Sequence, residues 1–307
     1  MPETAPQTLF STTRNTPELT ADDVAHYREN GYLVVADAFT PAELTVLKRE
    51  AVRLCRGELG EFRGLQSAMA DETDEAVIAR YLCVHDPHKI SEVYRRFMAH
   101  PVLVDVLTRI IGANVKCVQS MYFIKSAGKP GQAWHQDEMF IPTRDRSLTA
   151  TWVAIDDAHR GNGCLRVIPT SHRSGVIWDC RDNSDEGQFG VTVESCEFPY
   201  REEEEVVLEV KAGTAVFFSG YLLHRSFRND MQQGYRQAYA NHYMSAESFL
   251  PWRLQEPLED VARADCRDVE IVAGIDPYAH HGYADIVKPR LRASTRRELE
   301  QDRELVG

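Results

Sequence analysis

From Val115 onward the chain is a succession of short apolar runs broken by turns, and that pattern restricts it to sheet packed on sheet. Val115 to Ile124, Leu148 to Ile155, Leu165 to Ile168, Val206 to Val210, Thr214 to Ser219 and Arg236 to Tyr243 each read as a strand. Gly161-Asn162-Gly163 is a strong turn signal between two of them. Short strands punctuated in this way predict a mainly β fold, an antiparallel sandwich or barrel. Helical signals gather ahead of it. Thr20 can cap a first helix that has Asp23 in its opening turn and Gly31 past its end. Thr40 can cap a second, with Pro41 at the first helical position and Glu43 completing a capping box. Tyr32 to Val35 reads as a strand between these two, and a third helix is expected from Val102 to Ile111.

The flanks read differently. Residues 1–18, rich in Thr, Pro and Ser, are expected to form a flexible arm. Residues 179–205, ending in Glu202 to Glu205, read as a solvated excursion, and a charged helix is expected from about Ser294. The domain reading is therefore an arm, then one domain over 19–307 with a β core at about 115–245 and a C-terminal extension.

Hydrophobic residues make up 43% of 307, enough for a substantial core. A formal charge of −12 disfavours nucleic acid or an anionic membrane as a partner reached through the overall field. No run of 18 apolar residues predicts a membrane span. Met1 to Thr20 lacks the apolar stretch of a signal peptide, and Glu304 to Gly307 is not a peroxisomal address. The seven cysteines form no CxxC pair, which argues against a disulfide framework or structural zinc and for the cytoplasm. Oligomeric state is not legible.

The chemistry-bearing feature is Trp134-His135-Gln136-Asp137, taken with a distant His224. On a strand, residues i and i+2 share a face, so His135 and Asp137 can aim at one point. A lone HxD in a chain with 11 histidines is weak. The ligand types strengthen it, because two imidazoles and one carboxylate form the facial triad of non-haem Fe(II) sites. The apolar run Gly213 to Gly220 leads toward His224 and is expected to bring it in from the opposite sheet. Arg236 opens the next strand. If buried, it requires an anion, and its guanidinium suits a carboxylate. The distal carboxylate of 2-oxoglutarate is one such anion, and Ser226 could donate to the same group.

These residues resemble the phytanoyl-CoA dioxygenase family of Fe(II)- and 2-oxoglutarate-dependent oxygenases, which includes ectoine hydroxylase. The matching stretches are His135-Gln136-Asp137, Asn162 to His172, Thr214 to Phe218 with His224, and Gly234-Tyr235-Arg236. Together they cover about residues 20–245. The resemblance implies a double-stranded β-helix (jelly roll, cupin-like) core flanked by α-helices. It implies that His135, Asp137 and His224 bind iron, and that Arg236 with Ser226 holds the far carboxylate of 2-oxoglutarate. Trp152 looks like the family's tryptophan beside the co-substrate. Met121 and Lys125 fall on the strand that supplies co-substrate contacts in relatives. Gln119 sits where a relative contacts its substrate, Gln136 is expected to touch the pocket, and Lys89 is a weaker candidate. His172 reads as a structural histidine.

The activity so implied is dioxygenase chemistry, with O₂ oxidising a C–H bond of a small molecule and succinate and CO₂ released. Asp137 favours hydroxylation over halogenation, since halogenating relatives lack that carboxylate. Two rivals use the same residues: a cupin-like metal-dependent hydrolase and a non-catalytic β-barrel binding protein. Neither explains Arg236.

Overall fold

In a computed structural model, residues 18–183, 185–190, 193–248, 269–282 and 287–293 are described. The expected arm at 1–18, apart from Glu18, and the expected helix from about Ser294 lie outside them.

Fourteen strands are present among these residues: β1 (Tyr32–Val35), β2 (Tyr81–His85), β3 (Val115–Ser126), β4 (Gln132–His135), β5 (Thr149–Ala154), β6 (Leu165–Val167), β7 (Cys180–Asp182), β8 (Val193–Ser195), β9 (Val206–Leu208), β10 (Ala215–Ser219), β11 (His224–Ser226), β12 (Tyr235–Ser245), β13 (Glu270–Ala273) and β14 (Arg290–Ala293). Eight form a large sheet ordered β1-β10-β5-β12-β3-β2-β14, with β13 also on β3. Four form a smaller sheet ordered β4-β11-β6-β9. All the pairings within these two sheets are antiparallel. The two face each other as a double-stranded β-helix. Strands β2 and β14, which extend the large sheet beyond the expected 115–245 core, carry less obvious patterns than its central strands.

Helices cover the outer face of the large sheet. They are α1 (Ala21–Asn30), α2 (Pro41–Cys55), α3 (Asp74–Ile78), α4 (Glu92–Met98) and α5 (Pro101–Ile110). The capping signals act as read: Thr20 and Thr40 each close a capping box with Asp23 and Glu43. Leu44, Leu47, Ala51 and Leu54 recur at three- and four-residue spacing, so α2 buries one face. That face joins Tyr94, Phe97, Leu103 and Leu107 against Tyr122, Val153, Phe217, Tyr239 and Tyr243 of the sheet. Burying a leucine of this kind is worth roughly 1.5–3 kcal/mol, so the helical layer anchors the sheet from behind.

Gly31 ends α1 at φ 81°, in the left-handed region that glycine tolerates. A β-carbon there would stand 2.5 Å from His172 Nδ1. His172 donates from Nε2 to the Arg28 carbonyl at 3.1 Å, a structural role as read from the sequence. Residues 179–205 depart from expectation. They contain the β7–β8 hairpin and a short helix, α6 (Glu186–Phe189). Trp178, Phe198 and Tyr200 pack on Trp134, so that part of the excursion covers the small sheet. No helix among the described residues is long and apolar enough to cross a membrane.

Candidate metal and co-substrate site

Two short strands place the cluster. His135 ends β4 and sits in register opposite His224, the first residue of β11. The distal histidine therefore comes from the same sheet as His135, not from the opposite one. Strand β10, the apolar run before it, belongs to the large sheet. Gly131 permits the close approach of these strands: a β-carbon there would meet the Ser226 carbonyl oxygen at 1.8 Å. Asp137 lies just past the strand, at the start of a 3-10 turn over Asp137–Met139. Gln136 remains extended (φ −125°, ψ 128°), so the two-residue alternation survives the end of the strand and keeps Asp137 on the face of His135.

The three groups converge. A candidate ligand atom from each of His135, Asp137 and His224 lies within 4.8 Å of the others, and all three residues are buried. Asp137 Oδ1 is 3.8 Å from His135 Nε2 and 3.6 Å from His224 Nε2. Each imidazole is oriented from behind. His135 Nδ1 donates to the Ala133 carbonyl at 2.7 Å, and His224 Nδ1 donates to the Leu222 carbonyl at 2.9 Å. Both Nε2 lone pairs are thereby presented to the centre, as a divalent metal requires. Burial, then the neighbouring His224, pushes His135 down to about 3, so its imidazole is neutral at pH 7. Burial would raise the Asp137 pKa, but His224 and then His242, which also donates to it, outweigh burial and hold the carboxyl below its ordinary range. Two imidazole nitrogens and one carboxylate, open on one side, fit ferrous iron.

His242 is a member of this site that the sequence reading passed over. It projects from β12 across the gap between sheets, with Nε2 3.2 Å from Asp137 Oδ2. Its place on the inward face of an apolar strand, six residues after Arg236, was the available signal.

The remaining candidates divide clearly. Arg236, Trp152, Lys125, Met121, Ser226 and Gln119 all line one cavity of about 320 Å³ with the three clustered residues. Arg236 is 3% exposed, and its Nε has no hydrogen-bond partner. No ion pair holds it among the described residues, and its guanidinium lies 5.3 Å from the centre of the Trp152 ring. Burial lowers it to about 10, which still leaves it charged at pH 7. Directly opposite Arg236 in register is Lys125, whose Nζ donates to Ser226 Oγ at 3.0 Å and to the Phe227 carbonyl at 2.6 Å. Burial, then Arg236, pushes the lysine well below its ordinary range.

Gln136 and Lys89 are not brought to this cavity. The Gln136 amide is fully buried among backbone groups, donating to the Val176 and Tyr221 carbonyls at 2.9 and 2.7 Å and accepting from the Trp178 amide at 2.9 Å. Alternation explains the difference, because a residue between two that face inward must face outward. Lys89 ends a 3-10 turn over Pro87–Lys89 and does not line the cavity.

Comparisons with known proteins agree with this geometry. The phytanoyl-CoA dioxygenase family model matches residues 27–238. The peroxisomal phytanoyl-CoA dioxygenase of Bos taurus is 28% identical over 250 residues, covering 77% of this chain and 72% of that protein. The phytanoyl-CoA dioxygenase of Arabidopsis thaliana is 30% identical over 164 residues, covering 53% of this chain. The chain spans 56% of the length of that relative. Among solved structures, the apo form of the non-heme monooxygenase ThoJ superposes with a TM-score of 0.63 at 18% identity, covering 92% of this chain and 94% of that one. The epimerase SnoN, in complex with Fe3+, alpha ketoglutarate and nogalamycin RO, gives 0.59 at 20% identity, covering 82% and 95%. With the family match extending over more than half of its length, the chain belongs to the phytanoyl-CoA dioxygenase family of Fe(II)- and 2-oxoglutarate-dependent oxygenases.

Proposed function

We propose that this oxygenase binds ferrous iron through His135, Asp137 and His224 and 2-oxoglutarate through Arg236, and oxidises a C–H bond of a small molecule in the cavity they share. The observation that carries the reading is Arg236: a charged guanidinium, nearly fully buried, without an ion-pair partner among the described residues, in the same cavity as the three convergent ligand groups. Such a group is costly unless an anion arrives, and a dicarboxylate supplies one. Fe(II) with 2-oxoglutarate and O₂ supplies the oxidising chemistry, releasing succinate and CO₂.

The chain's own residues orient and enclose. The Ala133 and Leu222 carbonyls fix the two imidazoles, and His242 braces the second oxygen of Asp137. Trp152 gives the guanidinium an aromatic wall. Lys125 holds the Ser226 hydroxyl oxygen, leaving the hydroxyl hydrogen available to a carboxylate. Phe140, Phe189 and Phe218 line the cavity and keep bulk water from the reacting centre. We place the protein in the cytoplasm, on the six cysteines that are unpaired among the described residues.

The test is uncoupled turnover: purified chain with Fe(II), ascorbate and 2-oxoglutarate, followed by succinate and O₂ uptake. Succinate formed one-for-one with O₂ consumed supports the oxygenase. Absence of both, with metal bound, would instead favour a hydrolase or a binding protein.

A further inference from the structure

The strand that carries His224 and Ser226 is held from behind by a buried layer of charge. Strand β11 is three residues long, and its ladder with β4 slips between His224 and Ser226. So short a ladder does little by itself to fix where the two side chains stand. Both face the cavity, and alternation turns Arg225, between them, to the outer face of the small sheet. There Arg225 pairs directly with Arg166 of β6. The two arginines are buried, at 7% and 8% exposure. Like charges directly opposite on a sheet repel, and buried guanidiniums require a counter-charge.

Glu205 supplies that charge to both at once. Its Oε1 accepts from Arg166 Nη1, and its Oε2 accepts from Arg225 Nη2 at 2.8 Å and Nε at 3.2 Å. Glu202 adds one contact to Arg225 at 3.1 Å, from an exposed position. Aromatic rings complete the layer. The Arg225 guanidinium lies 4.3 Å from the centre of the Trp134 ring and 4.6 Å from that of Phe227, and the Arg166 guanidinium lies 3.9 Å from Phe227. Trp134 immediately precedes His135 on β4, so one layer backs both strands that carry the imidazoles. Within the acidic run Glu202 to Glu205 the first three residues are exposed, whereas the Glu205 side chain is only 15% exposed.

We propose that Glu205 is a positioning residue for the oxygenase site: by neutralising Arg166 and Arg225 together it clamps β11 to β6, and so holds His224 toward the iron and Ser226 toward the far carboxylate of 2-oxoglutarate. This rests on the oxygenase reading above. Without the carboxylate the two guanidiniums repel, β11 moves, and both functions of its inner face weaken together. A run of glutamates that reads as solvated surface thus acts on the site through the thickness of a sheet.

Two readouts on the full chain test this under anaerobic conditions: Fe(II) affinity by competition with a chelator, and the position of the visible band formed with 2-oxoglutarate. Glu205→Gln keeps the shape and removes the charge. It should weaken Fe(II) binding about tenfold or more and shift the band. Adding Arg166→Gln removes the repulsion and should restore most of the affinity, which separates a charge clamp from lost packing. Glu204→Gln, in the same turn but paired with the exposed Arg201, should bind iron as the native chain does. A folded Glu205→Gln chain with native iron affinity would overturn the proposal, as would a loss that Arg166→Gln does not reverse or that Glu204→Gln reproduces. Should Glu205→Gln alone not fold, recovery of folding and iron binding in the double variant supports the clamp, and continued failure overturns it. A native chain that binds no Fe(II) counts against the oxygenase and takes the clamp with it, whereas native binding undisturbed by Glu205→Gln counts against the clamp alone.

Discussion

The two faces of strand β12 are built on opposite principles. Its helix-facing residues include Gln237, Tyr239 and Tyr243, and their polar atoms are spoken for. Tyr239 donates to the Tyr94 carbonyl and Tyr243 to the Met98 carbonyl, each at 2.9 Å, while Gln237 accepts from Tyr122 at 2.8 Å. The cavity-facing residues include Arg236 and His242, and there Arg236 Nε and His242 Nδ1 have no hydrogen-bond partner among the described residues. Both faces are deeply buried. Burial is thus not what separates core from site. The separation lies in whether buried polar groups are satisfied by the chain itself or left for something that binds. Asn241, unpartnered on the helix side, is an exception for which the structure offers no account.

Substitutions on the two faces should therefore fail in different ways. The largest effect is expected at the clustered ligands: Asp137→Ala or His224→Ala should lose iron on gel filtration and bring succinate formation to background. Full succinate formation in either variant would break the comparison. Next, Arg236→Gln should raise the KM for 2-oxoglutarate about 100-fold, the equivalent of about 2.7 kcal/mol of a buried charge pair, with thermal stability little changed. His242→Gln removes the brace on Asp137 and should weaken iron affinity roughly 10- to 100-fold, as for other groups that orient a metal ligand, read by competition with a chelator. The smallest effect belongs to the packed face. Tyr239→Phe should cost about 1 kcal/mol of unfolding free energy in a denaturant titration and leave the KM for 2-oxoglutarate unchanged. A shift in that KM would show that the two faces are not independent.

How much of this was legible in the sequence depends on how local the signal is. The capping boxes at Thr20 and Thr40 span four residues each, and both helices start where those residues place them. The long strands β3 and β12 were visible through their apolar runs. Strand β2 was not read, nor was α4, because each is short and is held chiefly by its neighbours. The spacing of His135 and Asp137 implied a shared face, and the structure shows one, although Asp137 has already left the strand. The expectation that His224 arrives from the opposite sheet did not hold. Residues 220–223 turn the chain between sheets, and apolar patterning cannot report which sheet a three-residue strand joins. His242 was missed because its position on the strand reports only that it faces inward, while its contact with Asp137, 105 positions away, is set by the fold. Gln136 was misplaced for the opposite reason: adjacency in sequence was taken for adjacency in space.

The central claim is that Arg236 waits for an anion that also reaches the metal held by His135, Asp137 and His224. Anaerobic titration of 2-oxoglutarate into the Fe(II)-loaded chain, followed by the visible charge-transfer absorption of a keto acid chelated to iron, tests both halves at once. The account predicts a band that saturates at one 2-oxoglutarate per iron in the native chain and that requires far higher concentrations in Arg236→Gln. A native chain that binds iron but gives no band, or a band equally easy to form without the arginine, would contradict it.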